Sequence, residues 1–365
     1  MHGLTQRTGY AKRLMSIYAQ PAKQEHVVIE GVNQMIDREL PLVELHRHLD
    51  GSIRLETILD LADQHGIELP ATDVAGLAPY IHVDESAPGL MAFLERFEHM
   101  TAVLVDADAC RRVAYENVED ANSEGIDYIE LRYSPMFMAK SHGMDPAEVM
   151  EACADGVRAA ERDTGLHANI IGILSRTYGV ETCMKELDAI LAHRDHIVGV
   201  DLAGDELRYP AHLFKAHFKR VRDAGLHVTV HAGEADGPQS VWSAIEDLGA
   251  ERIGHGFRAI EDPALVEYLA KHEIGLEVCP TSNLHTSTVN SYVDHPVKSL
   301  AERGVRFCLN TDDPGISAID IEHEYAVAAP ATGLSGEQIL QSQLDGLEMA
   351  FLSKEEKSDL QFKAS

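Results

Sequence analysis

The chain has 365 residues, 45% of them hydrophobic and 25% charged, with a formal net charge of −29. That length allows two average domains or one large α/β barrel, and the composition is that of a soluble globular protein. The acidity argues against a partner that is nucleic acid or anionic membrane, since both need basic surface. It fits a protein acting on a small neutral or cationic molecule, and it fits solubility alone equally well.

Residues 1–37 are polar, weakly patterned and mildly basic within an acidic chain. They are expected to form a poorly ordered N-terminal extension, with Met35 as an alternative native start, ahead of a single domain over residues 38–365. The extension lacks the basic-then-apolar layout of a signal peptide, and no stretch approaches the ~20 apolar residues of a membrane span. Five scattered cysteines without a Cys-x-x-Cys suggest reduced thiols in a cytoplasmic protein.

From residue 42 onward, apolar runs of strand length alternate with helical patterns. Strands are expected at residues 42–46, 128–133, 169–174, 197–202, 227–231, 252–255, 275–279 and 305–310. Helical periodicity falls between them at 147–162, 183–193, 211–224, 239–248 and 263–272. Such alternation implies parallel strands with helical crossovers, and eight units suggest a closed (β/α)8 TIM-type barrel. No Gly-rich phosphate loop follows any strand, which weakens an open doubly wound sheet. The first crossover has room for three helices, at 55–65, 90–105 and 107–123. Leu90, Phe93, Leu94 and Phe97 share one helical face, either a buried core face or an apolar lid over the barrel mouth. C-terminal helices are expected at 321–327, 336–349 and 354–363.

Active sites of such barrels sit at the C-terminal ends of the strands. There the first strand supplies His46, His48 and Asp50, the fourth Asp201 to Glu206, the fifth His231-Ala232-Gly233-Glu234, the sixth His255, and the eighth Asp312 and Asp313. With 20 histidines in the chain, roughly one His-x-His arises by chance, so that motif alone carries little. Asp313, before Pro314, also suits a helix N-cap. The coincidence of all these groups at strand ends is what points to a metal centre. His46, His48, His231 and Asp312 could hold one Zn²⁺ and leave a place for water, whose pKa the ion lowers toward ~7. No lysine bridges at the end of the fourth strand, which favours one metal over two. His255 is then free to orient or deprotonate the water. Gly233 permits a sharp turn that aims Glu234 into the cavity, where a protonated carboxyl could act as proton donor.

Taken in order, His46-Arg47-His48-Leu49-Asp50-Gly51-Ser52, Ser134-Pro135, Asp201-Leu202-Ala203-Gly204-Asp205-Glu206, His231-Ala232-Gly233-Glu234, Gly254-His255-Gly256, Thr281-Ser282-Asn283 and Asn310-Thr311-Asp312-Asp313-Pro314 resemble the adenosine deaminase family, most closely its bacterial members. The resemblance implies a (β/α)8 barrel with one Zn²⁺ that hydrolyses adenosine and 2′-deoxyadenosine to inosine and 2′-deoxyinosine plus ammonia, in purine salvage. It further implies His46, His48, His231 and Asp312 as zinc ligands, and attack at purine C6 by zinc-activated hydroxide. By the same resemblance Glu234 protonates N1, His255 and Asp312 hold the attacking group, the Gly204 backbone N–H meets N3, and Asp313 binds N7. Asp50, near His48, takes the ribose 5′-hydroxyl. Related adenine deaminases carry Glu at the position of Asp50, so adenine is the alternative substrate. A monomer is expected.

Overall fold

The computed structural model describes residues 35–83 and 89–363. Eight strands, β1 (Val43–His48), β2 (Tyr128–Tyr133), β3 (His167–Ser175), β4 (Gly199–Ala203), β5 (His227–Ala232), β6 (Arg252–His255), β7 (Gly275–Val278) and β8 (Phe307–Leu309), lie side by side in sequence order. Every neighbouring pair is parallel. Helices connect them on the outside, giving the expected (β/α)8 barrel.

The ring closes at a seam held more by side chains than by ladder. Between β8 and β1 only one bridge forms, Arg47 with Asp312. In it the His48 amide donates to Asp312 O at 2.8 Å, and the Asp312 amide donates to His46 O at 2.9 Å. Deeper in the seam, the Leu45 amide donates to Asn310 Oδ1 at 2.9 Å, and the Thr311 amide donates to Glu44 Oε1 at 2.9 Å. Buried amides must find partners, and here the Asn310 carboxamide and the Glu44 carboxylate accept where a regular ladder between the two strands would have supplied backbone carbonyls. The seam sets Asp312 directly beside the histidines of β1.

The barrel interior is charged below the site. Arg132, Asp201, Glu277, Arg252 and Glu130 are each buried to within 1% of full occlusion. Arg132 spans Glu277 at 2.7 Å and Asp201 at 2.9 Å, and Arg252 pairs with Glu130 and Glu277. Paired, hydrogen-bonded charges are the form in which buried ions are tolerated. Phe351, just past the helix Gly336–Met349, plugs the floor with its ring 3.7 Å from the Arg252 guanidinium.

Several helices start where a capping side chain precedes proline: Ser134 accepts from Phe137 N, Asp145 from Ala147 N, and Asp262 from Ala264 N. Proline at the first helical position gives up no bond there. The first crossover contains a helix that periodicity did not suggest, Val74–Ile81, started by Asp73 accepting from Gly76 N. Gly76 and Pro79 within eight residues read as a loop, and tertiary packing of Leu77 and Ile81 overrides that signal. Two expected helices end in wide turns, at Ala244–Leu248 and Glu324–Ala328.

Residues 1–34 of the expected N-terminal extension lie outside the described residues. Beyond them Ile36 is buried, and Asp37 is clasped by Gln343, which accepts from its amide at 3.1 Å and donates to its carbonyl at 2.9 Å. No helix among the described residues is long and apolar enough to cross a membrane.

Candidate active site

The C-terminal strand ends gather the expected side chains into one cluster. His46 and His48 leave the end of β1, His231 that of β5, His255 that of β6, and Asp312 follows β8. The Nε2 atoms of His46 and His231 are 3.0 Å apart, and those of His48 and His231 3.3 Å. Asp312 Oδ1 lies 3.3 Å from both His46 Nε2 and His48 Nε2. Ligands at the usual ~2.0–2.1 Å around a tetrahedral ion stand about 3.3–3.4 Å from one another, close to these spacings.

Proton placement tests the fit further. His46 Nδ1 is 2.7 Å from Glu277 Oε2, and His231 Nδ1 is 2.8 Å from Asp201 Oδ2. Arginines beside Glu277 hold its carboxyl well below the usual range despite burial, and His231 and Arg132 do the same for Asp201. Glu277 therefore takes the Nδ1–H of His46, and the Asp201 carboxylate beside His231 Nδ1 favours the proton on that nitrogen, so the Nε2 lone pairs of His46 and His231 are aimed at each other. Such an arrangement calls for a cation. The same demand appears in His46 itself: burial and Arg132 push its pKa down, yet Asp312 and Glu277 outweigh them and hold it raised. Burial lowers His48, His231 and His255, so these rings are neutral, and neutral His48 and His231 can ligate.

His46, His231, His255 and Asp312 form a buried group that could hold a metal ion. Two of the five candidate groups differ in which Asp312 oxygen they meet. His48 faces Oδ1 at 3.3 Å, whereas His255 Nε2 lies 3.7 Å from Oδ2, an oxygen already accepting from Ser282 Oγ at 2.7 Å. His255 also sits 3.6 Å from Glu234 Oε2. It thus stands between the cradle and the carboxyl of Glu234.

Local backbone strain marks the same residues. His255 and Asp312 adopt φ of 58° and 65°, the left-handed region that non-glycine residues seldom occupy and that collects at functional sites. Gly233, at φ 69°, makes the expected turn; a Cβ there would meet Val241 at 2.6 Å. The turn is then fastened by Glu206, whose carboxylate accepts from the amides of Gly233 (2.6 Å), Glu234 (3.3 Å), Ala235 (2.8 Å) and Asp236 (2.9 Å). Burial raises the Glu234 carboxyl to about 8, with Asp312 and Glu206 adding to the shift. It is a carboxylic acid at neutral pH.

A cavity of about 610 Å³ opens beside the cradle, lined by His48, Asp50, Gly204, Thr177, Phe97 and Ile173 among others. Phe97, on the helix Gly89–Thr101, meets Phe137 edge-on at 5.6 Å, so the expected apolar face borders the cavity here; Phe93 is buried, while the side chains of Leu90 and Leu94 lie outside the described residues. Gly204 has φ 105° and a Cβ would strike Thr177 Oγ1 at 2.5 Å. Asp50 Oδ1 and Asp313 Oδ1 are buried without a partner. Asp313 precedes the helix Pro314–Ser317 but its side chain makes no capping bond, so the N-cap reading of this residue is set aside. Burial, then Asp312 and Asp50, drive its carboxyl far above the ordinary range. Burial likewise raises Asp50 to about 7.

A family model for adenosine deaminase matches residues 41–363. The chain belongs to the adenosine deaminase family. The adenosine deaminase of Vibrio cholerae is 59% identical over 331 residues, which span 91% of this chain and 99% of that one. Among solved structures, the adenine deaminase of Arthrobacter aurescens superposes with a TM-score of 0.80 at 28% identity, over 89% of this chain and 98% of that one. An amidohydrolase from Burkholderia ambifaria with bound Zn gives a TM-score of 0.81 at 25% identity, over 94% of each chain.

Several residues of this adenosine deaminase family site had no role in the sequence reading. Glu277 was the centre of an apolar strand run, and a charge at such a position is itself a signal that a buried partner exists. Arg132 in β2 carried the same signal. Ser282, Asn283 and Glu206 stood inside quoted motifs without an assigned task. His295 could not have been singled out among 20 histidines.

Proposed function

We propose that this enzyme, which deaminates adenosine, also hydrolyses 2′-deoxyadenosine, giving inosine and 2′-deoxyinosine plus ammonia, with one Zn²⁺ held by His46, His48, His231 and Asp312. Three imidazoles and one carboxylate are a donor set suited to catalytic zinc. Bound there, the ion would supply an activated water at neutral pH.

The chain's own groups account for the rest. A purine presents lone pairs at N1, N3 and N7, so it must be met by donors. Glu234 is protonated at neutral pH and gives its proton to N1, which spares the ring a negative charge as C6 becomes tetrahedral. The Gly204 amide serves N3, and its lack of a Cβ permits close approach. Asp313, protonated by its surroundings, donates to N7. His255 and Asp312 hold the attacking water against C6. Asp50 Oδ1, buried and unpartnered, takes the ribose 5′-hydroxyl. None of these contacts uses the 2′-hydroxyl, which supports 2′-deoxyadenosine as a second substrate. The observation that carries the reading is the Glu234 carboxyl, 3.6 Å from His255 Nε2 and beside a buried His/Asp cluster that could hold a cation.

Ultraviolet monitoring of adenosine and adenine, with and without chelator, tests it. Preference for the free base, or turnover untouched by a chelator, overturns it, and so do two zinc ions per chain. We also place the enzyme in cytoplasmic purine salvage as a monomer. Five cysteines, all buried and unpaired, support a reducing compartment. The family match beginning at residue 41 supports one catalytic domain over residues 38–365 with residues 1–37 as an extension. A chain shortened to Met35 is expected to keep full activity.

A further inference from the structure

Behind the site runs a chain of hydrogen bonds whose direction is fixed at one end by a backbone amide. Val297 opens the helix Val297–Glu302, where its N–H has no partner within the helix. It donates to His295 Nδ1 at 3.1 Å. A ring nitrogen that accepts carries no proton, so the proton of neutral His295 is on Nε2. Burial lowers His295 to about 3, which keeps the ring neutral throughout the working range. His295 Nε2 lies 3.3 Å from Asn283 Oδ1, and it donates there. The other end of that amide, Nδ2, can only donate. It faces His255 Nδ1 at 3.2 Å and Glu234 Oε1 at 3.4 Å. His255 Nδ1 must therefore accept, and the single proton of its ring sits on Nε2, the atom turned toward Asp312 and Glu234. Asn283 and His295 are 0% and 2% exposed, so water does not compete for these bonds.

We propose that Asn283 and His295 are positioning residues that lock His255 as an Nε2–H donor, so that His255 holds and orients the attacking water and does not remove its proton. The proposal rests on the deaminase reading for the identity of the water. Its structural content, the tautomer of His255, is independent of that reading. A ring with its proton on Nε2 has no lone pair on the side facing the site and cannot act there as a base. The choice between orienting and deprotonating, open from sequence, is thereby made by two residues on the far side of the ring. The same amide nitrogen also touches Glu234, so one side chain sets both groups that meet the substrate's reacting end.

Histidine-selective ¹⁵N labelling of the zinc-loaded protein, read through long-range proton–nitrogen correlations, reports the tautomer directly. The expected pattern for His255 is Nε2 protonated and Nδ1 bare. Nδ1 protonated in the unmodified enzyme overturns the proposal, whatever the substrate proves to be. Conversely, the expected tautomer in a protein that fails to deaminate adenosine sinks the functional reading and leaves this inference standing. Asn283→Asp is nearly isosteric but replaces the donor by an acceptor. It should move the His255 proton to Nδ1 and lower kcat at least about 100-fold, with KM within about threefold and zinc content unchanged. Retention of both the native tautomer and native kcat in that variant also overturns the proposal. His295→Gln keeps an amide donor toward Asn283 and should restore most of the turnover that His295→Leu loses; equal losses in the two variants would mean a merely structural role.

Discussion

Glu277 Oε2 lies 2.7 Å from His46 Nδ1 and 2.7 Å from Arg132 Nη2, so one buried oxygen joins the histidine–aspartate cluster to the charged barrel interior. Its second oxygen accepts from Thr229 at 2.8 Å and pairs with Arg252. Glu277→Gln should accordingly act on stability and on metal together. Removing one charge from a buried network typically destabilises by about 3–5 kcal/mol, and loss of the partner that orients a metal-binding histidine lowers affinity about 10- to 100-fold. Urea denaturation and competitive chelator titration measure the two effects. Unchanged zinc affinity in a destabilised variant would confine Glu277 to the scaffold.

The opposed lone pairs of His46 and His231 lead to a prediction about the metal-free protein. A ligand that binds only the native state at 100 times its Kd stabilises it by about 2.7 kcal/mol. Chelator-treated enzyme is therefore expected to lose turnover and to melt at a lower temperature, and added zinc should restore both. Because His46 is held above its ordinary pKa by Asp312 and Glu277, a proton can partly replace the ion. The difference in Tm between loaded and stripped protein should then widen as pH rises from acid to neutral. A Tm that ignores chelation across that range would remove the case for a resident cation.

Glu234→Gln should leave the cradle filled and lower kcat by about 10²- to 10⁴-fold, the usual effect of losing a general acid. The pH dependence has a definite sign. A proton donor with a pKa raised to about 8 works below that value and fails above it, so this group sets an alkaline limb in the rate profile. A cation on the histidines draws the limb toward lower pH without changing its direction. Linkage acts the same way on stability. The raised carboxyl favours the native state fully below its unfolded value, and that advantage disappears as pH rises through about 8. Relative to the parent, Glu234→Gln should melt higher at pH 8 than it does at pH 5. A variant with normal turnover, or a rate profile flat on the alkaline side, would falsify the assignment.

How much of this was legible in the chain differs between the clustered side chains and their supports. All eight strands could be placed because each is a short apolar run bounded by polar loops, and the groups at their C-terminal ends then fell on one face of the barrel. That reasoning set His46, His48, His231 and Asp312 at one mouth, where the structure also gathers them, and Gly233 announced its turn. Glu277, Asp201 and Arg132 were harder, because a charge inside a strand has meaning only once its partners on other strands are known. Arg132 and Glu277 are separated by 145 residues. His295 lies in a loop, where no periodicity reports which way a ring points. Asp313 shows how a local rule misleads: its place before Pro314 also suits a helix cap, yet its carboxyl makes no capping bond and is buried with Oδ1 unpartnered. The short helix Val74–Ile81 was hidden by its own Gly76 and Pro79, whose local preference is outweighed by the burial of Leu77 and Ile81.

Glu206 gives the final prediction, because its carboxylate serves four successive amides, Gly233 through Asp236, and Glu234 rides on that loop. Each buried amide left without an acceptor costs about 1–3 kcal/mol, so Glu206→Ala should loosen this turn more than any single contact in it would suggest. Glu206→Gln is the sharper probe. It preserves volume but offers one carbonyl where two carboxylate oxygens stood, and it presents an NH₂ to amides that also donate. The cradle histidines are not bonded to Glu206, so zinc content should survive in both variants. What moves is the aim of the proton donor: kcat should fall by more than KM rises, and amide hydrogen exchange at residues 233–236 should accelerate. Slow exchange at those amides together with depressed kcat would place the defect elsewhere, whereas fast exchange with native kcat would show that Glu234 finds its position without this support.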